Sequence, residues 1–338
     1  MGSRSRPKVV PFILRMCLNY IHWAIATTSI NAQLHNSSSP ALKDLSSAIG
    51  IDPRLKLYIK IYEGHLPSRS CLMNTVEALA FLAEKDYHGT TPQMTISVPG
   101  YTDVQIVIKP PDGARTLPVK PAVLGLYLAV LAMSTDPAMQ EMFEITSWIV
   151  LWDDVKVAYI LMQLSDPRNQ TQAQDLTGLP SGTMLKLNDT TPIILAEDSK
   201  NGHFANSTNP TNTDVKLIMS FYPWGTPLRE MSVFITVLAT LKDIAQYPST
   251  DLVADFEIAV PVSDVSIAFT KEASTGLTGP PSFEYRWVIG AAKQIPLWMV
   301  HHRWWESSFT IEVNDYVVGE GWVRRALPAG QEGNVTTS

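Results

Sequence analysis

Cysteine and charged residues are both scarce in this 338-residue chain. Its only cysteines are Cys17 and Cys71, so a zinc site built from cysteines is excluded, and removal of the N-terminal segment would leave no disulfide within the chain. Charged residues make up 17% of the sequence and hydrophobic residues 45%. This balance is typical of a folded protein with an apolar core, and the length suits two domains.

Basic residues are also few, and they form no continuous stripe. The formal net charge is −6, and Arg4, Arg6, Lys8 and Arg15 lie in the first 32 residues, where there is no acid. The remainder of the chain is therefore more acidic than the whole. Nucleic acids and anionic membranes attract basic patches, so we expect neither as a partner. The expected partner is an unknown extracellular ligand or protein.

The common catalytic motifs are missing. The sequence has no Gly-x-Ser-x-Gly elbow, no phosphate-binding Gly-Lys-Ser/Thr loop, no Gly-x-Gly-x-x-Gly, no His-Glu-x-x-His and no calcium-binding loop. We therefore predict no cofactor and no metal site. An enzyme is not excluded, because an active site can be assembled from residues that are distant in the sequence.

The first 32 residues are laid out like a secretory signal peptide. A basic start precedes a mostly apolar stretch, 9–26, and Ala32 supplies a small residue before a candidate cleavage site. Arg15 interrupts the apolar stretch, which leaves an uncleaved membrane anchor as the alternative. We expect a secreted protein that starts near Gln33 and has no membrane attachment after cleavage.

Five Asn-x-Ser/Thr sequons indicate the same compartment. About two would be expected by chance from the asparagine, serine and threonine content. All five lie in segments predicted to be polar loops or tails, where a glycan can be attached. An intracellular protein with Asn- and Thr-rich loops is the alternative. The predicted glycosylation sites are Asn36, Asn169, Asn188, Asn206 and Asn334.

Two stretches of the chain, about 54–163 and 214–323, follow one plan. Each opens on the alternation of a strand, continues into an apolar stripe at helical spacing, and then into two short strand-like runs joined by a turn. A second apolar segment follows, which we predict to be helical in both copies, although 283–289 also alternates as a strand would. Each copy closes on a hairpin with its turn at 153–154 or 314–315.

Matched residues at a separation of 160 support the duplication, and one later pair is separated by 161. We attribute the extra residue to an insertion in a loop. The proline pair is predicted to lie at helix starts, with Thr226 as the cap of the second helix. The matched pairs are Tyr62 and Tyr222, Pro67 and Pro227, Arg69 and Arg229, and Asp103 and Asp264.

We predict an α+β fold made of two tandem, diverged copies of a strand-helix-hairpin-helix-hairpin module, with antiparallel sheets and the helices on one face. Packing of the two copies around a cleft is a further hypothesis. In the linker only 184–187 and 193–195 are apolar enough for strands. The predicted parts are a signal peptide (1–32), an N-terminal lead (33–53), the first copy (54–164), a polar glycosylated linker (165–213), the second copy (214–326) and a tail (327–338).

The most unusual local segment is Trp298–Glu306, in which tryptophans, adjacent histidines, an arginine and a glutamate follow one another. Tryptophans offer stacking surfaces to a sugar or an aromatic ligand, and histidine and glutamate can transfer protons. A metal site is disfavoured because neighbouring histidines on a helix point about 100° apart. A helix end packed on a sheet is the simpler interpretation. The candidate ligand-binding residues here are His301, His302, Trp304, Trp305 and Glu306.

The loop after the first strand differs between the copies. It carries Glu63 and His65 in the first copy and Trp224 in the second. Loops are where a duplicated scaffold diverges in function, so the acid and the histidine are a candidate acid/base pair and the tryptophan a candidate apolar wall. An ordinary turn is the alternative in both copies. Cys71 is predicted to be a buried core cysteine.

Three functions remain open from the sequence. The first is a non-catalytic extracellular binding or interaction protein, which could use the two related surfaces together. The second is a metal-independent enzyme with an acid/base site in the cleft between the two copies. The third is a structural surface protein held by an uncleaved N-terminus. The reaction, if there is one, and the ligand are not indicated.

Overall fold

A computed structural model describes residues 51–135, 143–165, 202–207, 216–272 and 281–326. These ranges all belong to one compact unit, Ala48–Ser338. The predicted signal peptide, most of the N-terminal lead, the possible linker strands at 184–187 and 193–195, and the C-terminal tail lie outside the described residues. So do all the sequons except Asn206.

The first copy follows the predicted order of elements, with one small extra strand pair, β2 and β5. Its elements are β1 (Leu55–Leu66), α1 (Ser68–Ala83), β2 (Thr90–Pro92), β3 (Met94–Ile96), β4 (Val104–Lys109), β5 (Thr116–Pro118), α2 (Val119–Thr135), β6 (Phe143–Trp152) and β7 (Val155–Leu164).

The second copy repeats this order, and a strand in the predicted linker, β8, precedes it. The elements are β8 (Gly202–Ser207), β9 (Lys216–Pro227), α3 (Glu230–Ile244), β10 (Phe256–Ala259), β11 (Val265–Lys271), α4 (Tyr285–His302), β12 (Trp305–Val313) and β13 (Tyr316–Arg325). The ambiguous segment after Phe283 is helical, as predicted.

Each copy forms one antiparallel sheet. The strand order is β1-β6-β7-β4-β3 in the first sheet and β10-β11-β13-β12-β9-β8 in the second. The second sheet is therefore the first sheet with one more strand, β8, added beyond β9. The α+β fold with two tandem copies is confirmed, while the placement of the helices on one face stays a prediction.

The closing hairpins turn in the same way in both copies. Asp153 and Asp154 have φ values of 50° and 64°, and Asn314 and Asp315 have 51° and 66°. Two consecutive residues with positive φ make the two-residue turn that matches the twist of a hairpin, and aspartate and asparagine tolerate this conformation. The paired aspartates are thus turn residues.

The first helices correspond at a separation of 162 residues, so the residue matches at 160 are wrong by two. Helix α1 starts at Ser68 and α3 at Glu230. Pro227 ends β9 instead of matching Pro67, and Arg229, not Thr226, stands at the cap position without a side-chain capping bond. By the same shift Tyr62 does not correspond to Tyr222, nor Arg69 to Arg229.

A buried polar side chain confirms the new correspondence. Asn74 in α1 donates to the carbonyl of Tyr101 at 2.9 Å and accepts from the amide of Val98 at 2.6 Å, which ties the helix to the turn between β3 and β4. Thr236, 162 residues later, bonds Ser263 Oγ at 2.8 Å and donates to the carbonyl of Val265 at 3.2 Å. Both copies thus fix the same turn from the same helix position.

The later match of Asp103 with Asp264 is confirmed. The carbonyl of Asp103 accepts from the amide of Ser165 at 2.9 Å, and the carbonyl of Asp264 accepts from the amide of Ala326 at 2.8 Å. Each aspartate therefore directly precedes the strand that pairs with the end of the closing hairpin, and the two positions are equivalent.

The two copies pack directly on each other through their helices. Helix α1 contacts α3 and α4, and α2 contacts α3. Arg69 at the start of α1 makes two hydrogen bonds of 2.7 and 2.8 Å to Glu230 at the start of α3. Lys293 of α4 bonds Glu77 of α1 at 2.9 Å, with both side chains less than one-fifth exposed. The hypothesis that the copies pack against each other is correct.

Candidate functional site

The tryptophan and histidine segment forms a helix end. The ring of His302, the last residue of α4, stacks on Trp298 at 4.7 Å between ring centroids, with an angle of 5° between the planes. Trp298 is buried and stacks in turn on Phe221 at 4.5 Å. His301 is exposed, and Arg303 leaves the helix with a φ of 92°. The segment Trp298–Glu306 therefore begins in a buried aromatic stack and reaches the protein surface at the end of α4.

Glu306 fixes the neighbouring loop in place. Its carboxylate accepts from the amide of Thr226 at 2.7 Å, from the hydroxyl of Thr226 at 3.1 Å and from the amide of Arg325 at 2.9 Å. Burial raises the pKa of Glu306, but these hydrogen bonds outweigh it and hold the pKa below its ordinary value. Gly225 has a φ of 69°, and a Cβ there would lie 2.1 Å from the carboxylate. This carboxylate anchors a loop.

The three other aromatic candidates surround this loop in different ways. Trp224 is 47% exposed. The ring of Trp304 lies 5.4 Å from that of Phe234 in α3, and Trp305 pairs with Pro227 at the end of β9. Together with the histidines, these residues gather at the start of β12.

Glu63 and His65 lie in the other sheet, at a bulge in β1. The register between β1 and β6 shifts between Tyr62 and His65, so Glu63 is part of the irregularity. Both side chains are exposed. The acid and the histidine are thus near each other in the chain, but they belong to the first copy, whereas the histidines of α4 and Glu306 belong to the second.

The described residues include no group of three or more His, Cys, Asp or Glu side chains placed to bind a metal. None of the helices in these residues is long and apolar enough to cross a membrane. Asn206 lies within β8, where it pairs with Leu217. Cys71 is fully buried, and burial raises its pKa to about 12, as expected of a core thiol.

The first sheet carries an aromatic and aliphatic surface on the side opposite its buried residues. We call this side the first exposed face. Tyr58 and Tyr62 are 40% and 41% exposed, and the other members are partly exposed. Two rows cross four strands each: Tyr58, Ile149, Tyr159 and Lys109, then Lys60, Ser147, Leu161 and Val107.

Lysines surround the tyrosines of this face. The ammonium groups of Lys109 and Lys156 lie 5.4 and 5.3 Å from the ring centre of Tyr159, and that of Lys60 lies 5.0 Å from the ring of Tyr62. These are cation–π distances. In a chain with a net negative charge, this face combines apolar contact area with positive charge.

The second sheet differs from the first at one of these two rows. The row that corresponds to Tyr58, Ile149, Tyr159 and Lys109 consists of Ser220, Thr310, Glu320 and Thr270, of which Ser220 is buried. The row that corresponds to Lys60, Ser147, Leu161 and Val107 consists of Tyr222, Ser308, Trp322 and Ala268. The copies therefore differ in the row that contains Tyr58, whereas both carry apolar residues in the other row.

The two sheets also differ at one edge. Strand β8 pairs with β9 through six residue pairs, from Gly202 with Phe221 to Ser207 with Lys216. The corresponding strand of the first copy, β1, pairs with β6 on one side, and among the described residues no strand pairs with its other side. Tyr58, Ile61 and Tyr62 are exposed beside this edge.

The described surface also contains two clefts. One, of about 350 Å³, is lined by Arg54, Lys120 and Trp152. Its charges are already paired, because Arg54 makes two side-chain hydrogen bonds to Asp52, at 3.0 and 2.7 Å, and the Arg54 bond is the main reason that the pKa of Asp52 is lowered.

The other cleft, of about 310 Å³, lies between the copies and includes residues that follow α1 and α3, among them Asp86, His88 and Tyr247. The carboxylate of Asp86 accepts from the amide of His88 at 3.0 Å, and its carbonyl accepts from the amide of Gly89 at 2.9 Å. Asp86 therefore shapes a turn.

The first exposed face and the β1 edge were missed in the sequence, although a signal was present. The strand alternation places Leu57, Ile59 and Ile61 on one side of β1, and Tyr58, Lys60 and Tyr62 on the other. Tyrosine, isoleucine and leucine at those outward positions are the signal. No family model, curated protein or solved structure matches this chain.

Proposed function

We propose that the protein is a secreted, non-catalytic binding protein that holds another protein on its first exposed face. The observation that carries the proposal is the row of Tyr58, Ile149, Tyr159 and Lys109, which stands where the second copy has only serine, threonine and glutamate. Tyrosine is enriched at protein interfaces because it adds apolar area and a hydroxyl with little loss of side-chain freedom.

The charge of the face points to an acidic partner. Lys60, Lys109 and Lys156 lie around the tyrosines, and lysines at the rim of an interface attract a surface of opposite charge.

Cross-linking from matched positions tests the binding face. The full-length protein carries a photoreactive amino acid at position 159, or at position 320 as the control, and is incubated with the proteins secreted by its native host. We expect a partner that is cross-linked from position 159 only and that is displaced by the unlabelled wild type but not by a Leu161→Asp variant of normal fold. Equal cross-linking from both positions, or no displacement, would contradict the proposal.

Secretion needs a separate measurement on protein from the native host. We expect N-terminal sequencing to find a start near Gln33, and intact mass to fall after glycan removal. A start at Met1 with no glycan would contradict secretion. A start at Met1 with glycan present would favour the alternative of a surface protein held by an uncleaved anchor.

The enzyme alternative has one supporting observation, the cleft between the copies with His88 on its wall. Histidine is the usual side chain for proton transfer near neutral pH. The test is to incubate a small-molecule extract of the host with the wild type and with His88→Ala. A compound consumed by the wild type alone would support the enzyme; identical mass spectra would count against it.

A further inference from the structure

The strongest difference between the copies beyond their faces is the edge of β1. The second copy shows how this fold extends its sheet, because β8 adds to β9 along Lys216 to Phe221. At the separation of 162 residues, the same positions in the first copy are Arg54 to Ile59. The first copy thus has the acceptor edge, and the described residues supply no strand to fill it.

A sheet edge that no described strand covers is a binding surface in itself. Its outward N–H and C=O groups can pair with any extended chain, and folded proteins usually shorten, bend or charge such an edge. Strand β1 is 12 residues long, and its bulge, between Tyr62 and His65, affects only its far end. The part from Leu55 to Tyr62 pairs with β6 in regular register, so it is straight enough to accept a strand.

The side chains along this edge select the occupant. Leu57 and Ile59 are partly buried on one side, and Lys56, Tyr58 and Lys60 stand on the other. A second copy is disfavoured, because pairing two β1 strands brings four like charges onto adjoining strands. Lys56 already pairs with Asp154 at 2.5 Å, but the two side chains are 49% and 71% exposed, so a partner carboxylate can join the pair.

We propose that β1 accepts an extended segment of the partner protein as an added antiparallel strand along Arg54–Lys60, one residue longer than the stretch that β8 covers in the second copy, and that this segment alternates apolar and acidic residues. Its apolar side chains extend the side of Leu57 and Ile59, and its acids face the lysines. Main-chain hydrogen bonds hold the strand, and the alternate side chains give specificity, as in other cases of strand addition. The inference rests on the proposed function and specifies how the partner is held.

Designed peptides test the inference on the full-length protein. The probe is a fluorescent peptide, Ser-Glu-Val-Glu-Val-Glu-Val-Ser, and its binding is followed by anisotropy. One control has lysine in place of glutamate, and another carries N-methyl groups on alternate residues, which remove the amide donors of one edge while leaving the side chains unchanged. Two N-methylated peptides are used, one with the methyl groups on odd and one with them on even positions. We expect the acidic probe to bind, and we expect the lysine peptide and at least one of the two N-methylated peptides not to bind.

Charge-reversal variants separate the edge from the face. Lys60→Glu lies on β1, and Lys109→Glu lies on the same face three strands away. We expect Lys60→Glu to weaken the acidic probe up to about 5-fold, the range of one cross-strand charge pair, and to improve the lysine peptide. Lys109→Glu should leave the Kd of both within about 2-fold, because the row places it away from the edge.

Several outcomes would overturn the inference. The first is equal binding of the parent probe and of both N-methylated peptides. The second is a Lys109→Glu effect as large as that of Lys60→Glu. The third is concentration-dependent dimers in sedimentation that the probe does not dissociate. The fourth is displacement of the probe by a peptide of residues 40–45, which lie 162 residues before β8 and would then be the segment that pairs with β1. If cross-linking from position 159 succeeds while the acidic probe fails, the proposed function stands and the strand addition is wrong. If both fail, the proposed function itself is contradicted.

Discussion

Replacing Glu306 by glutamine should destabilise the protein in a way that depends on pH. The glutamate is 8% exposed, and its two oxygens accept three hydrogen bonds, two from Thr226 and one from Arg325. Glutamine can place its carbonyl toward Thr226, but its NH₂ group then faces the backbone N–H of Arg325. Both groups are donors, so no hydrogen bond forms between them. One charge-assisted bond is lost and one buried donor is left unpaired, for a cost of about 2–3 kcal/mol in the free energy of unfolding.

The sign of the pH dependence follows from the lowered pKa of Glu306 in the folded state. A carboxyl group with a lower pKa in the folded than in the unfolded state stabilises the protein above its unfolded pKa. This contribution is lost as the pH falls through the folded value. The difference between the wild type and Glu306→Gln should therefore be constant from neutral pH down to about pH 5, and should shrink below the ordinary value of 4.5.

Urea unfolding at pH 7 and at about pH 3.5 measures both effects. Glu320→Gln is the matched control, because Glu320 is an exposed carboxylate on the adjoining strand; it should change the stability by less than about 0.5 kcal/mol. The explanation is refuted if Glu306→Gln costs no more than the control at pH 7. It is also refuted if the cost of Glu306→Gln is the same at both pH values.

Three further predictions concern the packing of the fold. Gly225→Ala should lower the free energy of unfolding in urea by about 2–3 kcal/mol, because the φ of Gly225 is 69° and the added Cβ would lie 2.1 Å from the Glu306 carboxylate. Gly100→Ala is the control: the φ of Gly100 is 84° but nothing lies within 4 Å of its Cβ position, so it should cost only about 1 kcal/mol. Similar costs for the two variants would contradict the steric argument. A double-mutant cycle on Glu77 and Lys293, 2.9 Å apart and mostly buried, should give a coupling of about 1 kcal/mol, and zero coupling would mean that this ion pair does not stabilise the contact between the copies. The thiol of Cys71, with a pKa of about 12 and no exposure, should react with a disulfide reagent only in denaturant; fast reaction of the native protein would contradict its burial.

The sequence predicts the elements of the fold well where two signals agree. The hairpin turns at 153–154 and 314–315 combine flanking strand alternation with residues that accept positive φ, and both turns form as expected. The second helix of the second copy was ambiguous because aromatic residues at alternate positions fit a strand and a helix equally well. The structure makes 285–302 helical, as predicted.

The exact correspondence of the copies is where the sequence misled. A shift of two residues leaves every strand residue on the same side of its sheet, so the strand pattern fits separations of 160 and 162 equally well, and the chance identity of Tyr62 and Tyr222 favours the wrong one. The helices distinguish the two separations better. A shift of two residues rotates the position of a side chain around a helix by about 200°. Leu72 and Phe234, both fully buried, are 162 apart.

The candidate site depended on features that local sequence does not carry. The role of Glu306 is set by amides at 226 and 325, which are brought to it only by the folded sheet. The first exposed face exists because four strands from distant parts of the copy align their outward residues in rows. Strand β8 lies in a polar segment without an alternating pattern, and it is identified by its pairing with β9.

The side-by-side helices make the two copies depend on each other. Helices α1 and α3 start together at the Arg69–Glu230 pair, and the residues that follow them share one cleft, so they run in the same direction across the boundary between the copies. Both copies thus contribute helices to one boundary. A change that loosens this boundary is therefore expected to destabilise both sheets together, so the two copies should unfold in one transition.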